Sequence, residues 1–573
     1  MNSRHLRCAS LALSCAIAAC SGDGNDTPVS TPPAPSPGLP QLAAATGASL
    51  PSCVDLVSKL SFANTTITAS NDIAAGTLTI GGSPVPAHCQ VTGKMNQRNG
   101  PVDGQSYAIG FEMRLPYDWN GRFYYQANGG TDGSVSTAQG ALGGGPLTGA
   151  LKMGFAVISS DAGHTGSQNP TFGLDPQARL DYGYQAVAAL TPMAKAVIQT
   201  AYGKGPDRSY FGGCSNGGRH TFVAMARYSD QYDGFLAGDP GFRLPLAAIA
   251  NIAGAQTYNA LATTPGSPGT GFTASERALV SNAVLAKCDA LDGSTDGMVQ
   301  DAVACQAAFN IDRDVPTCTG ARDGTCLSAA QKIAIAHLFS GATTSDGTKF
   351  YSSFPYDAGL GTNNWATWKF SNSLTLDPGA VGIIWGVTPQ DPSTFNPTNF
   401  SLNSSIDTLL AKVGATDATY TESALSFMLP PDPTNLAALK NRGAKVMVYH
   451  GNSDPIFSVD DTTNWYTALA KANSGDASNF ARLYRIPGMN HCSGGPAADQ
   501  FDMLTPLVNW VEKGQAPDSV VASVRGAGNA GGVNADVPSS WSPGRTRPLC
   551  AFPKVAKYNG TGDVESASSF SCQ

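Results

Sequence analysis

Ser215 lies in Gly213-Cys214-Ser215-Asn216-Gly217, a G-x-S-x-G spacing entered from the apolar run that ends at Gly212. A serine hydroxyl is a weak nucleophile at neutral pH, so this pattern does chemistry only beside a general base and a group that orients the base. Two later residues supply those types in the chain order Ser, Asp, His. Asp454 follows the run Lys445 to Tyr449, and His491 follows Ala481 to Ile486. His491 would take the hydroxyl proton, while Asp454 would hold the imidazole in the required tautomer and stabilise its charged form. Each residue alone has a plainer reading: a Gly-rich turn, a turn aspartate before Pro455, a loop histidine. It is their joint order that points to acyl transfer.

These side chains can meet only if strands deliver them to one edge. The stretch Asp207 to Gly212 reads as a strand, the glycines as a sharp turn, and Arg219 to Tyr228 as a helix. With the other two candidates also at strand ends, the expected fold class is α/β: an α/β-hydrolase fold, a mostly parallel sheet with flanking helices. Acyl transfer also needs donors for a developing oxyanion. The backbone N–H of Asn216 is one candidate. Gly130, in the Gly-rich stretch Asn128 to Gly133 after the run Arg122 to Ala127, is the other, with an ordinary hairpin or turn as the alternative.

The thirteen cysteines bear on compartment. Arg4 and Arg7 precede a short apolar run from Leu11 to Ala19, which suits a secretory signal over 1–19 and is too short to span a membrane. Ile17-Ala18-Ala19-Cys20 has the form of a bacterial lipobox, so Cys20 is a candidate for lipidation and membrane attachment, with ordinary signal cleavage as the alternative. Residues 20–50, centred on Pro33 to Pro37, read as a disordered tether. With Cys8, Cys15 and Cys20 set aside, an even number of cysteines remains, which suits disulfides in an oxidising compartment. Local spacing suggests Cys53 with Cys89, Cys288 with Cys305, Cys318 with Cys326 and Cys550 with Cys572. Cys214 and Cys492 are left, and a bond between them would clamp Ser215 beside His491. Spacing does not fix connectivity, and buried free thiols are the alternative.

A second loop has different chemistry. Cys288 to Met298 (CDALDGSTDGM) carries Asp289, Asp292 and Asp296 among glycines. Converging carboxylates repel unless a cation compensates, and oxygen-only ligands favour Ca²⁺, with backbone carbonyls of Ser294 and Met298 completing the shell. The alternative is a solvated acidic turn.

Composition narrows the function classes. With 35 Lys and Arg against 42 Asp and Glu, the net charge of −7 offers no basic surplus for a nucleic-acid partner. The 42% hydrophobic content supports a large core, and the 64 Gly and 38 Pro, scattered through apolar segments without a collagen-like period, exclude a fibre or a wholly disordered chain.

Several stretches together resemble the tannase and feruloyl esterase family of α/β-hydrolases, and within it more closely the branch acting on terephthalate monoesters. They are FGLDPQARLD from Phe172 to Asp181, the Cys214-Ser215 pair, the acidic loop, PGMNHCSGGP from Pro487 to Pro496, FDMLTP from Phe501 to Pro506 and RTRPLC from Arg545 to Cys550. The resemblance implies a disulfide between Cys214 and Cys492, calcium in the acidic loop, and a large lid inserted at about 242–432, between hydrolase parts at 51–241 and 433–573. It also places Trp365 to Trp368 in a lid aromatic stretch, making Trp368 a candidate to stack on a phenyl ring, with a place in the lid's own core as the alternative. The terephthalate branch is expected to grip its substrate's carboxylate with a lid arginine. This chain has no arginine between Arg322 and Arg442, and Lys369 would serve only as a point-charge substitute.

The expectation is therefore an exported, monomeric serine esterase, secreted, periplasmic or held at a bacterial outer membrane. It would cleave feruloyl, galloyl or terephthalate monoesters through an acyl-enzyme on Ser215. A catalytically silent binder of aromatic compounds and an acyltransferase are the competing readings.

Overall fold

Nine strands form the central sheet: β1 (Thr65–Ile73), β2 (His88–Asn99), β3 (Ser106–Pro116), β4 (Arg122–Gln126), β5 (Ala156–Ser160), β6 (Arg208–Cys214), β7 (Gly234–Gly238), β8 (Lys445–Gly451) and β9 (Ala481–Ile486). They run across the sheet in the order 9-8-7-6-4-5-3-2-1. From β5 through β4 to β9 every neighbour is parallel, while β1, β2 and β3 form an antiparallel edge. The structure, a computed structural model, describes residues 38–141 and 143–573. The expected signal segment and Cys20 lie outside the described residues.

Parallel strands are buried on both faces, so their side chains split between two cores with period two. Helices α1 (Ala186–Tyr202), α2 (Asn216–Arg227), α5 (Val459–Ala472) and α6 (Leu504–Lys513) supply the cover, while α3 (Leu244–Ala260) and α4 (Ala274–Cys288) lie in the chain between β7 and β8. Phe123, Tyr125, Phe211, Phe235 and Val446 share one core with Leu190 of α1, Phe222 of α2 and Leu469 of α5. Tyr124, Tyr210, Leu236 and Met447 share the other with Leu507 and Trp510 of α6. Each fully buried large apolar side chain contributes roughly 1.5–3 kcal/mol, so the sheet is a stiff platform.

The chain between β7 and β8 is mostly helical and holds two further apolar clusters. One joins α3, Trp385 and Phe427 to Phe172, Tyr182 and Phe457, so it shares side chains with the sheet's own loops. The other joins α4 to Phe309, Phe339 and Trp365. Thr273 and Glu276 cap α4 reciprocally, fixing where the helix starts.

All five pairings suggested by spacing and resemblance are formed: Cys53–Cys89, Cys214–Cys492, Cys288–Cys305, Cys318–Cys326 and Cys550–Cys572. They fit an oxidising compartment. Among the described residues no helix is long and apolar enough to cross a membrane.

Two boundaries differ from expectation. The tether expected to reach residue 50 is shorter, because 39–50 packs on the hydrolase body. Leu39 and Leu42 lie against its cores, Ala45 N–H donates to Glu512 Oε2 at 2.9 Å, and Ala48–Ser49 pairs with Asp118–Trp119. Helix α2 begins at Asn216 rather than Arg219, since two glycines following a strand turn can enter a helix when tertiary packing holds them.

Candidate active site

Ser215 occupies the single residue between the end of β6 and the start of α2, at φ 66° and ψ −126°. Positive φ is costly for a side-chain-bearing residue and persists only where the surroundings impose it. Here a Cβ at Gly213 would meet Ala127 O at 2.3 Å, and one at Gly217 would meet the same oxygen at 2.4 Å. Both glycines are therefore required by the close passage of the chain leaving β4, and the serine is turned outward between them.

The three candidates converge. His491 Nε2 lies 2.7 Å from Ser215 Oγ, and His491 Nδ1 lies 2.7 Å from Asp454 Oδ2. Asp454 Oδ1 accepts from the Ile456 and Phe457 N–H groups at 2.8 and 3.0 Å, which locks the carboxylate plane. His450 stands 3.4 Å from Asp454, its own ring held by Thr462 Oγ1 and the Phe457 carbonyl. Burial pushes the Asp454 carboxyl up, but His491 and His450 outweigh it and hold the group below the usual carboxylate range. It is thus an anion in the folded protein at neutral pH.

The Asn216 N–H belongs to the first turn of α2 and has no intrahelical partner. Opposite it runs the loop after β4, where a Cβ on Gly129 would stand 3.7 Å from Ser215 Cβ, and Gly130, at φ 63°, has open space around its Cα. Asp132, which sequence reasoning did not select, fastens this loop. Its Oδ2 accepts from Asn216 Nδ2 and from His220 Nε2, both at 2.8 Å. Burial and the neighbouring Arg219 lower His220, so this contact is a hydrogen bond from a neutral ring.

The inserted region also brings side chains up to the triad. Thr367–Asn372 forms a π-helical turn, a form that recurs at functional sites. It carries both expected binding residues. Trp368 presents an edge-to-face contact to His491, ring centroids 5.2 Å apart, and Phe457 does the same at 5.3 Å. Trp365, one turn earlier, is buried in the α4 cluster, while Trp368 is partly buried against the α3 cluster as well. Lys369 Nζ donates to Asn251 Oδ1 at 3.2 Å and sits 4.1 Å from the Phe354 ring centroid. Burial lowers its ammonium to about 8, partly offset by Asp454 and Asp377.

In the acidic loop, Asp289 accepts from the Asp296 and Gly297 N–H groups, and Asp292 Oδ1 accepts from Ser294 N–H. Asp292 Oδ2 is buried without a partner, and burial, with Asp296 and Asp289 adding repulsion, pushes this carboxyl up to about 7. An orphaned buried carboxylate oxygen among carboxylates fits a hard cation. Ser294 and Met298 are buried in the same turn. The three carboxylates do not, however, bring one oxygen each within 4.8 Å of one another. Asp296 is instead ion-paired to Arg547 at 2.5 Å, which makes it the least available of the three.

Residues 89–573 match the family model described as tannase and feruloyl esterase. The chain is 39% identical over 544 residues to mono(2-hydroxyethyl) terephthalate hydrolase from Piscinibacter sakaiensis, covering 87% of each chain. It is 27% identical over 544 residues to feruloyl esterase B from Aspergillus niger, covering 91% of this chain and 95% of that one. The fold matches the crystal structure of feruloyl esterase B from Aspergillus oryzae with a TM-score of 0.72 at 22% identity, over 91% of this chain and 99% of that one. With a sheet of the hydrolase kind and a Ser-His-Asp constellation at its edge, the chain belongs to the tannase and feruloyl esterase family of carboxylic ester hydrolases.

Proposed function

We propose that the protein hydrolyses esters of aromatic carboxylic acids by a serine acyl-enzyme mechanism. His491 Nε2 takes the Ser215 proton as Oγ attacks the ester carbonyl carbon, and the anionic Asp454 stabilises the imidazolium. The N–H groups of Asn216 and Gly130 face the developing oxyanion. Collapse expels the alcohol with the proton from His491, leaving an ester on Ser215. Water then attacks that ester, giving its proton to His491, which passes it to Ser215 Oγ as the acyl–oxygen bond breaks, and the acid departs with the triad restored. The observation that carries this reading is the connected path Asp454, His491, Ser215 with both links at 2.7 Å.

Trp368 and Phe457 frame the histidine with aromatic edges, which suits an aryl group beside the reacting carbonyl. Lys369 offers a cation rather than a bidentate fork, so the substrate class stays broad: hydroxycinnamate, gallate or terephthalate monoesters. Calcium, held by the Asp289 and Asp292 carboxylates and the carbonyls of Ser294 and Met298, with Asp296 as a weaker contributor, would be structural and acts in none of these steps. Export, lipidation at Cys20 and a monomeric state complete the proposal.

Comparing kcat/KM for methyl ferulate, methyl gallate and mono(2-hydroxyethyl) terephthalate between wild type and Ser215→Ala tests the reading. The expectation is turnover of at least one aromatic ester that falls about 10⁴-fold or more in the variant. Transfer of the acyl group to an alcohol in place of water would favour an acyltransferase, and no turnover of any ester would favour a silent binder.

A further inference from the structure

Behind the triad lies a second acid. Asp239 follows β7 directly, its carboxyl is fully buried, and its backbone N–H donates to Tyr449 O at 2.9 Å. One carboxylate oxygen of Asp239, one of Asp454 and a ring nitrogen of His491 all lie within 4.8 Å of one another. Two carboxylates this close in a dry site do not both stay charged unless a cation stands between them.

The groups facing Asp239 decide which one keeps its charge. From β8 and its loop come Asp454, His450 and Tyr449; from the β9 loop come His491 and the backbone of Cys492; from β6 comes Cys214. His450 Nε2 is 4.0 Å from Asp239 Oδ1, but its ring is already committed to Thr462 and the Phe457 carbonyl. Cys214 Sγ is 3.6 Å from Asp239 Oδ2 and, being oxidised, has no proton to give. Tyr449 is buried with its hydroxyl unbonded. The Gly451 N–H donates to Oδ1 at 2.9 Å, and the Cys492 backbone N–H also faces the carboxyl. Among the described residues no lysine or arginine nitrogen lies within 4.0 Å of Asp239. Asp454, by contrast, has His491, two backbone N–H groups and His450, and Lys369 bears on it from the lid.

We propose that Asp239 holds a proton and donates it in a hydrogen bond to Asp454, acting as a positioning residue that sets how strongly the triad carboxylate stabilises the histidine. Burial first, then the charge of Asp454, push the Asp239 carboxyl well above its ordinary range, in keeping with that arrangement. The inference rests on the serine-esterase reading. A donated hydrogen bond withdraws negative charge from Asp454 and so tempers how strongly that carboxylate stabilises the imidazolium formed during turnover.

The test compares kcat/KM against pH for wild type, Asp239→Asn and Asp239→Ala, with the infrared difference spectrum of wild type minus Asp239→Asn at neutral pH. Asn retains a donor for Asp454 and an acceptor for Gly451 N–H; Ala retains neither. The expected result is an acid limb that stays in place in Asp239→Asn and moves up by about 0.5–1 pH unit in Asp239→Ala, with a protonated-carboxyl stretch that only wild type shows. Coincident acid limbs in all three proteins, or a carboxylate band in wild type where the acid band is expected, would overturn it. Loss of the parent reading shows separately, as hydrolysis surviving Ser215→Ala, and the infrared band needs no turnover.

Discussion

The Cys214–Cys492 disulfide joins the residue before the nucleophile to the residue after the base, holding Cα atoms 6.1 Å apart that are 278 positions distant in the chain. It is therefore part of the geometry of the 2.7 Å contact between Ser215 and His491. Replacing both cysteines by alanine should lower kcat at least about tenfold, since a small misplacement of reacting groups costs that much or more. It should also cost roughly 2–5 kcal/mol of stability. Removing the Cys318–Cys326 pair should affect stability alone. Unchanged kcat in the Cys214/Cys492 double variant would show that the clamp is incidental.

Asp132 gives a second, separable prediction. Because its carboxylate fastens both Asn216 and His220, Asp132→Ala should loosen the oxyanion loop and lower kcat by about 10²-fold, with KM little changed. Retained kcat would mean that Gly130 is placed without this clasp.

Calcium should matter more as pH rises. Asp292, at about 7 in the folded protein, lies above its unfolded value of 3.8, so without a cation the folded state binds the extra proton and loses stability as pH climbs through this window. A bound cation removes that penalty and competes with the proton. Thermal melts should show a larger loss of Tm on chelation at pH 8 than at pH 6, and Asp292→Asn should shrink the difference. Equal melts with and without chelator at both values would remove calcium from the account.

Lys369 makes a pH-dependent prediction for substrate choice. It is cationic below about 8, so KM for an ester carrying a distal carboxylate should rise above that pH, while KM for an uncharged methyl ester stays flat. Lys369→Met should abolish the difference. A pH-independent ratio in wild type would place the anionic end of the substrate elsewhere.

The parts of the site legible in the sequence were those encoded locally. Gly213 and Gly217 flank a strand–turn–helix junction, and Asp454 and His491 each end an apolar run, so residue type and order sufficed. Four disulfides close short loops and were readable from spacing. What escaped depends on contacts between distant segments. Asp132 meets His220 across 88 residues, and Asp239 meets Asp454 only because β7 and β8 are neighbours in the sheet. Neither stands in a motif. Residues 39–50 read as tether because nothing local shows that Glu512 would receive their backbone. Trp365 and Trp368 are indistinguishable by type; only the packing shows that the first is buried in the α4 cluster while the second packs against the α3 cluster and meets His491 edge to face.

The central claim is that Ser215 is a nucleophile activated by His491. Peptide mass spectrometry after treatment with a fluorophosphonate tests it most directly. The account predicts a single phosphonyl adduct on Ser215 in wild type, formed at least about 10³-fold more slowly in His491→Ala. An adduct on another residue, or one formed on Ser215 at the same rate in both proteins, would contradict it.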